Sequence, residues 1–266
     1  MAGWGQVFGQ LFSEDVKVHN HAKGGASTNS FVEEGRLQEI AERITQGDYL
    51  FIQFGHNDQK PRGTKPYSTF QQFLTLFADT AREKGAHPVF ITSVRRRRFD
   101  ENGRIEHTLG EYPDAMKALA KELDVPVIDL LAKTKELYEA YGPEESKRLF
   151  VWFQPNEHPN YPDGIEDNTH FSEEGTMEVA KLVAEGIEEL GLPLKDHLVS
   201  REEKNMYKEG ACLYRNPLRS VSDVKDWRME EADRSHLTIT ACTCRMFKTK
   251  HILSFGALKP FQTASL

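Results

Sequence analysis

Residues 49–58 read Tyr49-Leu-Phe-Ile-Gln-Phe-Gly-His-Asn-Asp58, a short apolar run followed at once by a glycine and three polar residues. An apolar run of this length that ends in a turn signal is typical of a strand buried on both faces, as in a parallel sheet. Similar runs recur roughly every 35 to 40 residues, which is the spacing of βα units. The sequence therefore predicts strands at residues 16–20, 49–54, 88–93 and 125–129.

Amphipathic segments lie between these runs and have the end signals of helices. Gly47 and Gly85 follow two of the segments, and Ser172 stands at the start of the last one. The predicted helices cover residues 36–46, 69–84, 112–123, 132–141 and 172–190. Alternating strands and helices predict an α/β fold, a three-layer α/β/α domain with a parallel sheet.

Composition excludes several classes of function. The chain has 266 residues, of which 38% are hydrophobic and 28% charged, and its net charge is −7. These values are typical of a globular protein and argue against a nucleic-acid partner, since such binders generally have a basic face. No apolar run approaches the roughly 20 residues that cross a membrane, and the first residues have no signal-peptide pattern, so we expect a cytoplasmic location without membrane association.

The cysteines predict neither a disulfide framework nor a metal centre. All three, Cys212, Cys242 and Cys244, lie near the C-terminus, and the Cys-x-Cys pair lacks the second half of a zinc site. No paired histidines at helical spacing are present either. We therefore expect no metal and no cofactor.

Polar clusters follow the predicted strands, at the rim of the sheet where ligands bind in open α/β folds. Asp167 stands three residues before His170, a spacing that lets the carboxylate accept the Nδ1 proton of the histidine and leaves Nε2 free as a general base. The alternative for this pair is a capping turn with a surface histidine. Asn57 could donate its amide to an oxyanion, and a backbone N–H near Gly25 could join it; the alternatives are ordinary Asn- and Gly-containing turns.

Taken in order, these segments resemble the SGNH (GDSL-type) hydrolase superfamily, and more narrowly the bacterial rhamnogalacturonan acetylesterases. The matching segments are Gly3-Trp-Gly-Gln6, Gly35-Arg-Leu37, Phe51-Ile-Gln-Phe-Gly-His-Asn-Asp-Gln59, Ala81-Arg82 with Gly85-Ala86, and Asp167-Asn-Thr-His-Phe171. The resemblance implies that Asp167 and His170 are the catalytic acid and base, and that Gly25 and Asn57 form the oxyanion hole. It covers residues 1–198, the predicted hydrolase domain.

One element of the superfamily pattern is absent from this sequence. Relatives have a first strand ending in Gly-Asp-Ser ahead of the Gly-Trp-Gly-Gln segment, whereas this chain starts two residues before Gly3. We therefore identify no nucleophile and expect the first strand to be missing, which would leave its two neighbours with unpaired backbone groups. Ser27, Ser30 and Ser93 lie near the rim, and the first two are better explained as loop or helix-capping residues.

Two further residues are candidate substrate contacts. His56 lies beside Asn57, and Arg97 belongs to the run Arg95-Arg-Arg-Arg98, which could bind the carboxylates of an acidic sugar polymer. A solvated loop is the simpler explanation for most of the four arginines. Residues 152–161, rich in aromatics and prolines, could form a sugar-stacking wall or could simply pack.

Residues 199–266 do not continue the βα pattern. Residues 206–229 resemble the start of a separate small protein, of a β-rich family often encoded beside pectin-utilisation esterases, and the remainder has no convincing period. The sequence predicts a fused or frame-shifted tail with little order, the alternative being a genuine extension.

Together these observations predict a carbohydrate esterase that removes O-acetyl groups from rhamnogalacturonan or pectic oligosaccharides by a Ser-His-Asp mechanism, with the serine lost from this chain. Two alternatives remain open. One is a GDSL-type lipase or thioesterase, and the other is an inactive binder of pectic oligosaccharides.

Overall fold

A computed structural model describes residues 3–199 and the backbone of residues 237–243. Its main sheet has five parallel strands in the order β1-β7-β2-β3-β4, and a separate antiparallel pair is formed by β5 and β6. The strands are β1 Val16–Asn20, β2 Tyr49–Gln53, β3 His87–Ile91, β4 Val127–Ile128, β5 Phe150–Phe153, β6 Ile165–Phe171 and β7 Leu237–Thr243.

Within residues 3–199, six α-helices cover the two faces of the main sheet. They are α1 Thr28–Glu33, α2 Arg36–Ala41, α3 Gln71–Glu83, α4 Tyr112–Leu123, α5 Leu130–Glu145 and α6 Glu173–Glu189. Side chains alternate along β2, which is buried throughout: Tyr49 and Phe51 join the core beneath α5 and α6, while Leu50 and Ile52 join the core beneath the other four helices. The three-layer α/β/α prediction is confirmed.

The place predicted to be empty in the sheet is filled. β7 lies between β1 and β2 and pairs with both in parallel, with Val18 and Tyr49 each opposite Ile239. The expectation that these neighbours lack partners is therefore wrong, because a strand pairs through its backbone and any extended segment can supply one. The predicted disorder of the tail concerns residues that lie outside the described ones, except for Leu237–Thr243.

The segment that contains Asp167 and His170 is a strand rather than the predicted turn. β6 pairs with β5 at Phe171 opposite Phe150 and at Glu166 opposite Trp152, and the register shifts between these pairs. The intervening residues therefore form a bulge, which re-aims side chains. Sequence reasoning missed this strand because residues 165–171 are mostly polar and show no apolar alternation, so the local pattern indicates only a turn.

Among the described residues no helix is long and apolar enough to cross a membrane.

Candidate active site

The turn after β2 is built around Gly55. Its φ of +136° is unfavourable for other residues, and a Cβ there would lie 2.6 Å from the Ser93 hydroxyl oxygen. Ser93 in turn donates to the Phe54 carbonyl at 2.7 Å. This close approach of two strand ends fixes where His56 and Asn57 stand on the rim.

Asp58 ties this turn to the start of α1. One carboxylate oxygen accepts from the Thr28 backbone N–H at 2.9 Å and its hydroxyl at 2.6 Å, and the other accepts from the Gly55 N–H at 3.0 Å. Burial raises the pKa of Asp58, and these hydrogen bonds oppose the rise. The sequence was not used to predict a role for Asp58; a carboxylate in the turn that follows a buried strand was the signal that could have found it.

The two predicted oxyanion residues are brought together. Asn57 is buried and its Nδ2 donates to the carbonyl of Ala26 at 3.1 Å, which places the amide beside the residue that follows Gly25. Gly25 has a φ of +81°, a left-handed conformation that favours glycine. The oxyanion role of both residues stays a prediction, and this adjacency is what the role requires.

Asp167 and His170 form the predicted pair. His170 Nδ1 is hydrogen-bonded to Asp167 Oδ2, while Asp167 Oδ1 accepts from the backbone N–H groups of Thr169 at 2.7 Å and His170 at 2.9 Å. Burial acts to raise the pKa of Asp167, but the hydrogen bonds from His170 and the two N–H groups outweigh it and lower the pKa. The carboxylate therefore stays ionised and can stabilise an imidazolium.

His170 Nε2 is buried and has no hydrogen-bond partner among the residues that the structure describes. A buried polar atom without a partner is costly and calls for an explanation. The pair on its other side fixes the tautomer with the proton on Nδ1, so that Nε2 presents a lone pair. A general base needs such a lone pair to accept a proton.

His56 is a second buried histidine whose Nε2 has no partner within residues 3–199. Burial, followed by the charges of Arg96 and His170, lowers its pKa to about 3, and a hydrogen bond to the Val94 backbone opposes the shift. His56 is thus neutral under ordinary conditions and can accept a hydrogen bond. Its predicted contact with substrate stays a prediction.

Arg97 is not placed as a substrate contact would be. It is buried, and its guanidinium donates through Nε to Ser146 Oγ at 3.0 Å, through Nη1 to Asn168 Oδ1 at 2.7 Å and through Nη2 to the Pro143 carbonyl. The structure favours a structural role over the predicted contact with substrate.

The other arginines of the run also have protein partners. Arg95 donates to the Glu106 carbonyl at 3.3 Å, Arg96 to Thr108 at 3.0 Å, and Arg98 forms an ion pair with Glu106. Only Arg98 among these three has a mostly exposed side chain, at 68%. A freely solvated loop therefore describes one residue of the run, not most of it.

The three serines near the rim serve the fold. Ser27 is the N-cap of α1 and donates to Asn29 at 2.7 Å, and Ser30 donates to the Ser27 carbonyl at 3.3 Å, which agrees with the predicted capping. Ser93 is held by Phe54, as described above. None of the three is a partner of His170 Nε2.

The aromatic segment after β5 divides into two parts. Trp152 packs towards Arg97 and donates to Asn168 Oδ1 at 3.0 Å, so it serves packing. The rings of Phe153 and His158 stack with centroids 4.7 Å apart, and these residues line an open cavity of about 800 Å³ together with Tyr161.

No group of three or more possible metal-ligating side chains was found within the described part of the chain.

A parallel sheet between two layers of helices, with a buried asparagine after β2 and a histidine–carboxylate pair on β6, defines an ester hydrolase of the SGNH type. The chain belongs to the GDSL-like lipase/acylhydrolase family, whose model matches residues 1–176.

Individual relatives agree with this assignment. The chain is 94% identical over 204 residues to the rhamnogalacturonan acetylesterase RhgT of Bacillus subtilis (strain 168), a match that covers 77% of this chain and 88% of the relative. The crystal structure of YxiM from Bacillus subtilis is similar with a TM-score of 0.63 and 25% identity, over 72% of this chain and 51% of that one. A stretch of 25 residues is 96% identical to the uncharacterized protein YesU of the same Bacillus strain, 9% of this chain and 11% of that protein.

Proposed function

We propose that this protein is a carbohydrate esterase that removes O-acetyl groups from rhamnogalacturonan. The observation that carries the proposal is the Asp167–His170 pair, whose buried Nε2 has no partner among the described residues. The 94% identity to a rhamnogalacturonan acetylesterase supports the choice of substrate.

The proposed mechanism proceeds in two acyl-transfer steps. A hydroxyl nucleophile attacks the acetyl carbonyl while His170 Nε2 takes its proton, and Asp167 stabilises the resulting imidazolium. The Gly25 N–H and the Asn57 amide receive the oxyanion. Collapse of the intermediate expels the sugar oxygen, which takes the proton from His170. Water then attacks the acetyl-enzyme with the same base, which releases acetate and restores the nucleophile.

The nucleophile is the part of this mechanism that residues 3–199 do not supply. Ser27, Ser30 and Ser93 are committed to the protein contacts described above. We propose that the nucleophile is the serine of a Gly-Asp-Ser strand, the element of the superfamily pattern named above, and that residues 3–199 without it catalyse acetate release only slowly. Oxyanion donors alone retain only a small part of a hydrolase's rate enhancement.

We propose that residues 199–266 have an origin different from that of the hydrolase domain. The 25-residue match to a second protein supports this proposal. The coding DNA tests it: a second reading frame that continues the YesU sequence beyond the match would support a fusion.

The experiment that tests the function measures acetate release from acetylated rhamnogalacturonan. Four proteins are compared: the chain as printed, the chain extended at its N-terminus by an apolar strand ending in Gly-Asp-Ser, and each of these with His170→Ala. The added strand has to replace β7 between β1 and β2. We expect the extended chain to be at least about 10³-fold faster than the printed one, and His170→Ala to abolish turnover only in the extended chain.

The outcomes separate the two parts of the proposal. Equal rates for the printed and extended chains would disprove the position of the nucleophile and leave the esterase standing. Release of long-chain acids but not of acetate would show a lipase. Binding of acetylated oligomers without turnover by either chain would show a binding protein.

A further inference from the structure

Strand β6, which contains Asp167 and His170, forms a hairpin with β5 and needs further contacts to hold its position. Among the residues that the structure describes, β6 pairs only with β5. Within β6 the residues around Asp167 and His170 are half-buried, whereas Phe171 is buried in the core. A two-stranded antiparallel pair is only marginally stable by itself. Because a bulge separates the paired ends of β6, backbone pairing does not determine the direction of His170.

Asn168, which lies between Asp167 and His170, is held at two points by one residue. The backbone N–H of Arg97 donates to the Asn168 carbonyl at 2.8 Å, and Arg97 Nη1 donates to Asn168 Oδ1 at 2.7 Å. Two contacts from one residue, one to the backbone and one to the side chain, fix both the position and the rotation of Asn168. The peptide groups on either side of it lead directly to Asp167 and, through Thr169, to His170.

The guanidinium that makes this contact is itself immobilised. Its remaining nitrogens donate to Ser146 Oγ and to the Pro143 carbonyl at the end of α5. One face lies over the Trp152 ring, with the guanidinium carbon 5.1 Å from the ring centroid. A planar group with donors in three directions can join α5, β5 and β6, whereas an ammonium group cannot reproduce this geometry.

We propose that Arg97 is a positioning residue that orients the Asp167–His170 pair by holding Asn168 against the end of α5. It acts through Asn168 and makes no contact with substrate. The inference rests on the proposed function only in taking His170 as the general base.

The test compares Arg97→Lys and Arg97→Ala with the control Arg98→Ala, a neighbouring residue whose side chain is mostly exposed. The first readout needs no catalysis: the downfield proton NMR signal of His170 Nδ1–H bonded to Asp167. We expect this signal to be lost or broadened in both Arg97 variants and retained in the control, while thermal unfolding shows that the variants remain folded.

The second readout uses the chain extended by the Gly-Asp-Ser strand. We expect kcat to fall by about 10- to 100-fold in Arg97→Lys with little change in KM, the loss expected of a displaced catalytic group. Added guanidinium ion should restore part of the activity of Arg97→Ala but not that of Arg97→Lys, because lysine occupies the site.

Three results would overturn the proposal. The first is an unchanged NMR signal in Arg97→Lys. The second is a rise in KM at constant kcat, which would indicate that Arg97 binds substrate. The third is failure of guanidinium to restore either the signal or the activity in folded Arg97→Ala. If the extended chain releases no acetate at all, the function fails, but the NMR comparison still decides the role of Arg97.

Discussion

Two regions meet at the carboxyl rim and are held in different ways. The hairpin with Asp167 and His170 is fixed by side chains, above all by Arg97 and Trp152 on Asn168. The position between β1 and β2 is filled by β7, whose described contribution is backbone pairing alone. Backbone pairing can complete a sheet with many different sequences, but it supplies neither a nucleophile nor a general base.

Completing the sheet and carrying out the proposed reaction therefore depend on different parts of the chain. β7 ends at Thr243, opposite Gln53, between the strands that lead to Gly25 and to Asn57. The sheet is therefore continuous at the point where the proposed mechanism needs its nucleophile. The proposed general base, by contrast, is held by particular side chains, so we expect its geometry to change when one of them is replaced.

The largest effect is expected from breaking the ladder of β7. Ile239→Pro removes one backbone N–H from a strand paired on both sides, and a buried carbonyl left without its partner costs about 1–3 kcal/mol before any distortion. We expect at least this loss in the free energy of unfolding, measured with urea. Ile239→Val, which keeps the backbone N–H, is the matched control and should change the stability far less. Equal stability of the two variants would show that β7 does not contribute to the fold in solution.

The sequence predicted the body of the sheet better than its irregular parts. β1 and α4 were predicted with the bounds observed, because strand and helix periods are local signals. β7 was missed although Leu237-Thr-Ile-Thr-Ala241 alternates apolar and hydroxyl-bearing residues, since alternation does not reveal a partner 190 residues away in sequence.

The same limit applies to the candidate site. Asp167 and His170 could be paired from their spacing because their contact is local. Nothing in a run of four arginines shows which one is buried, so the contact of Arg97 with Asn168 could not be predicted. It joins residues 71 positions apart.

An intermediate effect on stability is expected from lowering the pH. It arises at His56 on the rim rather than in the backbone hydrogen bonds of β7. The pKa of His56 is about 3 in the folded protein against about 6.5 in an unfolded chain. Because the folded-state pKa is depressed, this contribution to stability is complete above pH 6.5 and is lost as the pH falls towards 3. Between pH 6.5 and 4.5 the loss amounts to about 2–3 kcal/mol.

Replacing the histidine should remove that part of the acid sensitivity. Urea unfolding at both pH values should show a smaller loss for His56→Gln than for the unmodified chain, even though the variant starts less stable. His19→Gln, at an exposed position of β1, serves as the control and should keep the full loss. Parallel behaviour of all three proteins would mean that His56 is not buried as described.

The smallest effect is expected at Trp152, because its acceptor Asn168 Oδ1 has a second donor in Arg97. Trp152→Phe removes the N–H that donates to Asn168 Oδ1 but keeps a ring beneath Arg97. Because Arg97 Nη1 still donates to the same oxygen, no buried acceptor is left without a partner. We expect a cost of about 0.5–1.5 kcal/mol in unfolding free energy, the value of one hydrogen bond in exchange with water.

In an Arg97→Ala background the same change should cost more, because Asn168 Oδ1 then loses both donors, and a double-mutant cycle measures the difference. Strict additivity would mean that the two donors do not share this oxygen, and that the hairpin is held by packing rather than by the Arg97–Trp152–Asn168 contacts.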